Sequence, residues 1–311
     1  MADLRTVVGA LALRNPILSA SGTFGHGLEM VHFVPPRALG GLVSKTVTLE
    51  PRHGNSAPRI RETEAGFLNS IGLENHGIEA YLRDTLPAME AADTCVVTNI
   101  GGESAEDFAR AASLLAGFER IDALEVNLSC PNVDGGRLPF ATDPRVAEEV
   151  IASVRATTDK PIWAKLSPNV TRIADIALAV EAGGADAVTA GNTLLGMQID
   201  WRSGATGLAT RVGGYSGIGI KPIALRCAWE CVQALSIPVI GCGGITTASD
   251  VLEFLAAGCH AIQVGTASFS DPGLLGRLGA EVDALLEREG IARITEVIGR
   301  VDRGVFAETR R

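Results

Sequence analysis

Apolar residues in this chain come in short, nearly unbroken blocks rather than alternating with polar ones. The blocks are ILSASG (17–22), GLVSKTVT (41–48), TCVVTNIG (94–101), ALEVNLS (123–129), PIWAKLS (161–167), DAVTAGN (186–192), PVIGCGG (238–244) and AIQVGTA (261–267). A strand with one wet face alternates, whereas a strand covered on both faces reads as these blocks do. The pattern therefore predicts eight parallel strands with helices outside and one another inside. Helical segments with readable ends lie between most of them. Ser104 with Asp107 predicts a capping box ahead of FARAASLLA, with Gly117 in the left-handed position at its end. Asp143 and Pro144 open RVAEEVIASVRA as N-cap and first-turn proline, and Thr247 with Asp250 opens VLEFLAA, which Gly258 closes. The joints AGGADAV (182–188) and AAGCHAI (256–262) echo one another, and no linker or low-complexity segment divides the chain.

Eight strand–helix units predict an α/β fold, a (β/α)8 TIM barrel spanning residues 1–311 as one domain, with a doubly wound sheet as its rival. The intervals 49–93 and 193–217 exceed what a crossover needs. In a barrel both emerge as long loop insertions at the C-terminal face, where they are candidates for a substrate lid.

The 36 acidic against 27 basic residues leave a formal charge of −9 without basic clusters, which argues against a nucleic acid or an anionic membrane as partner. Small-molecule chemistry is the expectation that remains. The opening MADLRTVVGALALRNP lacks the features of a secretory signal and no apolar run is long enough to span a bilayer, so a cytoplasmic protein is expected. Six cysteines show neither C-x-x-C nor cysteine/histidine ligand spacing, and no metal or iron–sulfur cluster is expected in this chain.

In a barrel the strand ends build the site. They deliver Lys45 and Thr46, Asn99, Asn127 and Cys130, Lys165, and Asn192 with Thr193. Two lysines in separate apolar strands require anionic partners, since an unpaired buried ammonium is costly. The last two strands end in GCGGI (241–245) and VGTA (264–267), loops that in such barrels hold a phosphate on backbone N–H groups. Ser21 and Gly22 from the first strand join Asn99, Asn127 and Lys165 in a wide floor of donors and acceptors. A flavin carrying a terminal phosphate suits floor and loops together better than a small sugar phosphate does.

The segments SASGTFG (19–25), SKTVTLEPRHGN (44–55), FLNSIGLEN (67–75), NLSCPN (127–132), KLSPNV (165–170), GNTLLGM (191–197), GCGGI and VGTA, in this order, resemble dihydroorotate dehydrogenases of class 1. NSIGLEN is more similar to the class 1B catalytic subunit than to the fumarate-using class 1A, and SGIGIKP (216–222) departs from the SGPAIKP usual in the family. The resemblance implies oxidation of (S)-dihydroorotate to orotate in pyrimidine biosynthesis. It implies FMN held by Ser21, Lys45, Thr46, Asn99, Asn127, Lys165, Gly191, Gly217, Gly243, Gly244, Gly265 and Thr266. It implies substrate contacts at Lys45, Asn69, Ser70, Ile71, Gly72, Leu73, Asn127, Asn192 and Thr193, with Asn132 a possible addition. Asparagine amides match the ring's C=O and N–H groups in reciprocal pairs, and Lys45 can bind the carboxylate as a point charge.

The same resemblance implies hydride transfer to the flavin N5 and loss of the neighbouring proton to Cys130, at the root of a glycine- and proline-rich lid, PNVDGGRLPF (131–140). A thiol's reference pKa of about 8.5 makes an unperturbed Cys130 a minority thiolate at neutral pH. Cys95 and Cys242 are expected in the core, Cys227 and Cys231 in helix packing, and neither His53 nor His76 is given a role. Class 1B further implies an electron-transfer partner carrying FAD and a [2Fe-2S] cluster that reduces NAD, in a homodimer or heterotetramer. Other readings are a fumarate-dependent class 1A enzyme, a dihydropyrimidine dehydrogenase-like flavoenzyme, a non-redox sugar-phosphate barrel and a non-enzymatic flavin scaffold.

Overall fold

The computed structural model describes residues 1–128 and 140–303. All eight predicted strands form, as Ile17–Ser19, Gly41–Val43, Cys95–Ile100, Ala123–Asn127, Ile162–Leu166, Ala187–Ala190, Val239–Cys242 and Ala261–Val264. They are numbered one to eight below. Each pairs in parallel with its sequence neighbour, and strand eight returns to strand one through Val264 opposite Ser19, so the barrel is closed. Closure excludes the doubly wound sheet.

Side chains alternate along each strand, so inner positions recur every second residue. Leu18, Val43, Val97, Ala123, Trp163, Ala187, Ile240 and Ala261 make a lower apolar layer. Two residues further on in each case stand Ala20, Lys45, Asn99, Glu125, Lys165, Thr189, Cys242 and Gln263. The barrel is therefore greasy at one level and polar at the next. Val8 and Leu13, from the antiparallel hairpin Thr6–Val8 with Leu11–Leu13, pack into the apolar layer. This hairpin, which the block pattern did not predict, stoppers the N-terminal mouth.

Helices Ala105–Ala116, Pro144–Arg155, Ile173–Ala182, Lys221–Ala234, Ala248–Ala256 and Leu274–Arg288 follow strands three to eight. The first two units depart from the expected pattern. Strands one and two are joined by two single-turn 3-10 segments, and strand two is followed by the short helix Gly77–Ala80, which widens into a π turn at Tyr81–Thr85. Ser104 caps its helix by accepting from Asp107 N at 3.1 Å, but the Asp107 carboxylate accepts from Glu103 N rather than closing the box on Ser104. Gly117, at φ −77°, is right-handed, correcting the expected left-handed end. Asp143 caps with Pro144 in the first turn, and Gly258 at φ +108° ends its helix as expected.

The two long intervals, the candidates for a substrate lid, are built as regular structure. They pair into one antiparallel sheet over the C-terminal face, in the order Leu194–Met197, Val212–Ser216, Gly66–Asn69, Ile60–Thr63. Gly66 makes the joint possible: a Cβ there would meet Ser216 O at 1.9 Å. No helix among the described residues is long and apolar enough to cross a membrane.

Thr247 and Asp250 form a full capping box. The Asp250 carboxylate also accepts from Thr246 N at 2.8 Å and from Lys221 Nζ at 2.6 Å, tying two helix starts together beside the loop after strand seven. Burial opposes its charge, but Lys221, Thr246 and Thr247 outweigh burial and hold its pKa down at about 2, against an ordinary 3.8. A depressed carboxylate stabilises the fold above the ordinary value and stops doing so as pH falls through the depressed one. Asp250→Ala is expected to cost about 2 kcal/mol at neutral pH by urea denaturation. The wild-type advantage should fade as the pH is lowered from about 4 towards 2.

Candidate active site

The upper polar layer opens into a cavity of 1060 Å³ whose lining includes Ser21, Lys45, Thr46, Asn99, Asn127, Lys165, Gly217, Gly243, Gly244, Gly265 and Thr266. Asn69, Ser70, Ile71, Gly72, Leu73, Asn192 and Thr193 line it as well, so residues from both insertions meet the strand ends in one space. Gly191 is not in the lining. At φ +141° its Cα lies against strand seven, where a Cβ would meet Cys242 O at 2.1 Å, so its visible part is in closing the barrel. Cys130, Asn132 and the expected lid up to residue 139 lie outside the described residues. His53 and His76 are exposed and off the lining.

The two lysines differ. Lys165 is 4 % exposed, donates to Gln263 Oε1 at 2.9 Å and stands 3.6 Å from Glu125 Oε1. Burial is the largest influence and disfavours its ammonium, yet Glu125 and Cys242 together outweigh burial and its pKa is raised. Lys45 is half-buried and meets no carboxylate or acceptor for its ammonium among the described residues. One lysine thus has its counterion built in, and the other has none among the described residues.

Glu125, Thr189 and Gln263 had no place among the expected site residues. Glu125 accepts from Asn99 Nδ2 at 2.7 Å and Thr189 Oγ1 at 2.8 Å, and also from Gln263 Nε2. Asn99 is left with a fully buried Oδ1 that has no donor among the described residues. A signal was present: ALEVNLS carries a charge two places before Asn127, hence on the same inner face.

Other unforeseen residues hold the loops. Asn169 donates to Thr193 O at 2.9 Å and accepts from Leu195 N at 2.8 Å, which fixes the Asn192–Thr193 corner. Asn75 donates to Leu73 O and Thr48 Oγ1, both at 2.8 Å, and Asn55 Nδ2 donates to Ser70 Oγ at 2.9 Å. These bonds hold segment 69–73, in which Leu73 takes φ +54°, a left-handed value uncommon for a branched side chain. Asn192 and Asn127 face one another at 3.5 Å.

At the far side, the backbone N–H groups of Gly243, Gly244, Gly265 and Thr266 take no acceptor among the described residues. Gly244, at φ +73°, sits where a Cβ would strike Lys221 N at 2.6 Å. Unpaired N–H groups converging after strands seven and eight suit a phosphate.

The closed barrel, the polar cavity at the C-terminal mouth and the donor-rich corner define a small-molecule-binding (β/α)8 barrel of the enzyme type. The chain belongs to the dihydroorotate dehydrogenase family, whose model matches residues 3–286. It is 47 % identical over 298 residues to the "Dihydroorotate dehydrogenase B (NAD(+)), catalytic subunit" of Solidesulfovibrio magneticus, covering 96 % of this chain and 97 % of the relative. Relatives with the same designation from Geobacter sulfurreducens (45 %, covering 96 % and 98 %) and Bacteroides fragilis (42 %, covering 97 % and 100 %) are similar along their whole length. These similarities bear out the resemblance to class 1B. A solved structure of DHODH from Eimeria tenella in complex with ferulenol superposes with a TM-score of 0.80, covering 97 % of this chain and 89 % of that one at 21 % identity, and so shares the fold.

Burial raises the pKa of Cys95 and Cys259 to about 12 and pushes Cys227, Cys231 and Cys242 upwards as well. Cys242 is buried as expected, at 8 % exposure, and also lines the cavity. Brief iodoacetamide treatment of native protein at neutral pH should leave these five cysteines unlabelled, as read by peptide mass spectrometry.

Proposed function

We propose that the chain, as a single domain, binds FMN and oxidises (S)-dihydroorotate to orotate in the cytosol. We further propose that electrons leave through a partner subunit carrying FAD and a [2Fe-2S] cluster to NAD. The observation that carries this reading is one cavity combining a free cation, an inner floor of amides and a corner of unpaired backbone donors. The residues present fit the cofactor. Asn99 Oδ1 needs a donor such as a ring N–H, Lys165 offers a charged donor from strand five, and Gly243, Gly244, Gly265 and Thr266 suit a terminal phosphate. Bound FMN would supply the two-electron acceptor for a hydride.

The chain's own residues supply the rest. Lys45 binds the substrate carboxylate as a point charge, since no carboxylate among the described residues pairs with its ammonium. Asn69, Asn127 and Asn192 bind the imide edge in reciprocal donor–acceptor pairs, with Ser70 to Leu73 as the wall above and Thr193 beside them. Asn169, Asn75 and Asn55 hold these loops in place, so the ring meets a prepared surface rather than ordering one. Cys130 takes the proton from the carbon next to the one that gives up hydride; the two C–H bonds become the ring double bond of orotate. The other five thiols, kept neutral by burial, are poorly suited to that task.

Adding dihydroorotate to the yellow protein without oxygen should bleach it, and dihydrouracil, lacking the carboxylate for Lys45, should bleach it far more slowly. Cys130→Ala should keep FMN but lose most of this reduction, and wild-type turnover should rise with pH as the thiolate forms. Near-normal reduction by Cys130→Ala would sink the assignment of the base. Reoxidation by fumarate without a partner would point instead to class 1A, and a colourless protein to a non-redox barrel.

A further inference from the structure

Glu125 has no solvent exposure and sits in the middle of the polar layer. A carboxylate only accepts hydrogen bonds, so each neighbour must turn a donor towards it. Asn99 therefore presents Nδ2 to Glu125, at 2.7 Å, and keeps Oδ1 for something else. Gln263 turns Nε2 to Glu125 and is left with Oε1, which accepts from Lys165 Nζ at 2.9 Å. One charge on strand four thus sets the direction of two amides, on strands three and eight, and balances an ammonium on strand five.

We propose that Glu125 is a positioning residue for the ligand on the cavity floor. Its carboxylate obliges the floor to present an acceptor at Asn99 and a positive charge at Lys165, which selects a flat ring with an N–H for the first and an electron-rich edge for the second. This inference rests on the flavin reading above. It differs from a plain structural ion pair in what an isosteric neutral variant would do. Glutamine at this position must aim its own NH2 at a group that is already donating, so Asn99 or Gln263 has to turn over. If Gln263 turns, its NH2 confronts the Lys165 ammonium. If Asn99 turns, the floor offers a donor where it had offered an acceptor.

The charge matters separately. The titratable groups facing Lys165 are Glu125 from strand four and Cys242 from strand seven, beside neutral Gln263 from strand eight. Burial keeps the Cys242 thiol neutral by raising its pKa. Without Glu125, burial is the dominant influence on Lys165, and burial favours the neutral amine.

The test is the dissociation constant of FMN, followed by flavin fluorescence from neutral to alkaline pH, for wild type, Glu125→Gln and Glu125→Asp. Wild type should hold FMN with a flat profile. Glu125→Gln should bind at least about tenfold more weakly and lose further affinity as pH rises. Glu125→Asp keeps the charge but shortens the reach, so its profile should stay flat at reduced affinity. Wild-type affinity with a flat profile in Glu125→Gln overturns the proposal; if that variant does not fold, undiminished affinity in Glu125→Asp overturns it equally. A wild-type protein that takes up no FMN overturns the cofactor reading, and this proposal with it.

Discussion

Burying a carboxylate and an ammonium in the bore of a barrel is tolerable only if each faces the other and both are hydrogen-bonded to neighbours. The pair of Glu125 and Lys165 meets that condition through Asn99, Thr189 and Gln263, drawn from strands three, six and eight. The five contributors reach one another only when the sheet is closed with its present stagger, so the polar layer depends on barrel registration as much as on residue type. Below it, the apolar layer and the plugging hairpin keep water from the underside of the pair. Above it, the cavity begins. The pair is thus both the ceiling of the core and the floor of the site.

Much of the frame was legible in the chain. Strands buried on both faces leave unbroken apolar blocks, and each of the eight blocks contains its barrel strand. What escaped has a common physical origin. The sheet over the mouth joins residues 60–69 to 194–216, and long-range pairing of half-exposed strands leaves little local periodicity. Its key joint, the contact of Gly66 with Ser216, is between backbones and has no side-chain signature. The first two units lack ordinary helices, and the missing regularity in 23–40 and 77–93 gave no positive sign of 3-10 and π turns.

The site divides in the same way. Lys45, Asn99, Lys165 and the glycine loops were readable because polar residues at the ends of apolar blocks stand out. Their roles came from resemblance, which placed the same residues in one list without saying how they are oriented. Glu125 was within reach of period-two reasoning from Asn127. Asn169 and Asn55 were not, because each acts on the backbone of a segment distant in sequence, and Asn75 was not, because it ties nearby Leu73 to Thr48; only folded geometry connects them. Gly191 illustrates the converse: a residue whose family association is with a ligand has, in this structure, an evident duty to the neighbouring strand.

The hairpin formed by Thr6–Val8 and Leu11–Leu13 has a kinetic consequence. A bore stoppered at its N-terminal end is a blind well, filled and emptied from the C-terminal end. Incoming and outgoing molecules must use that end in turn, and a departing molecule that lingers acts as a competitor to its successor. Electrons are under no such rule, since they can cross a wall that atoms cannot. The architecture therefore permits the traffic of matter and the traffic of charge to be separated in space.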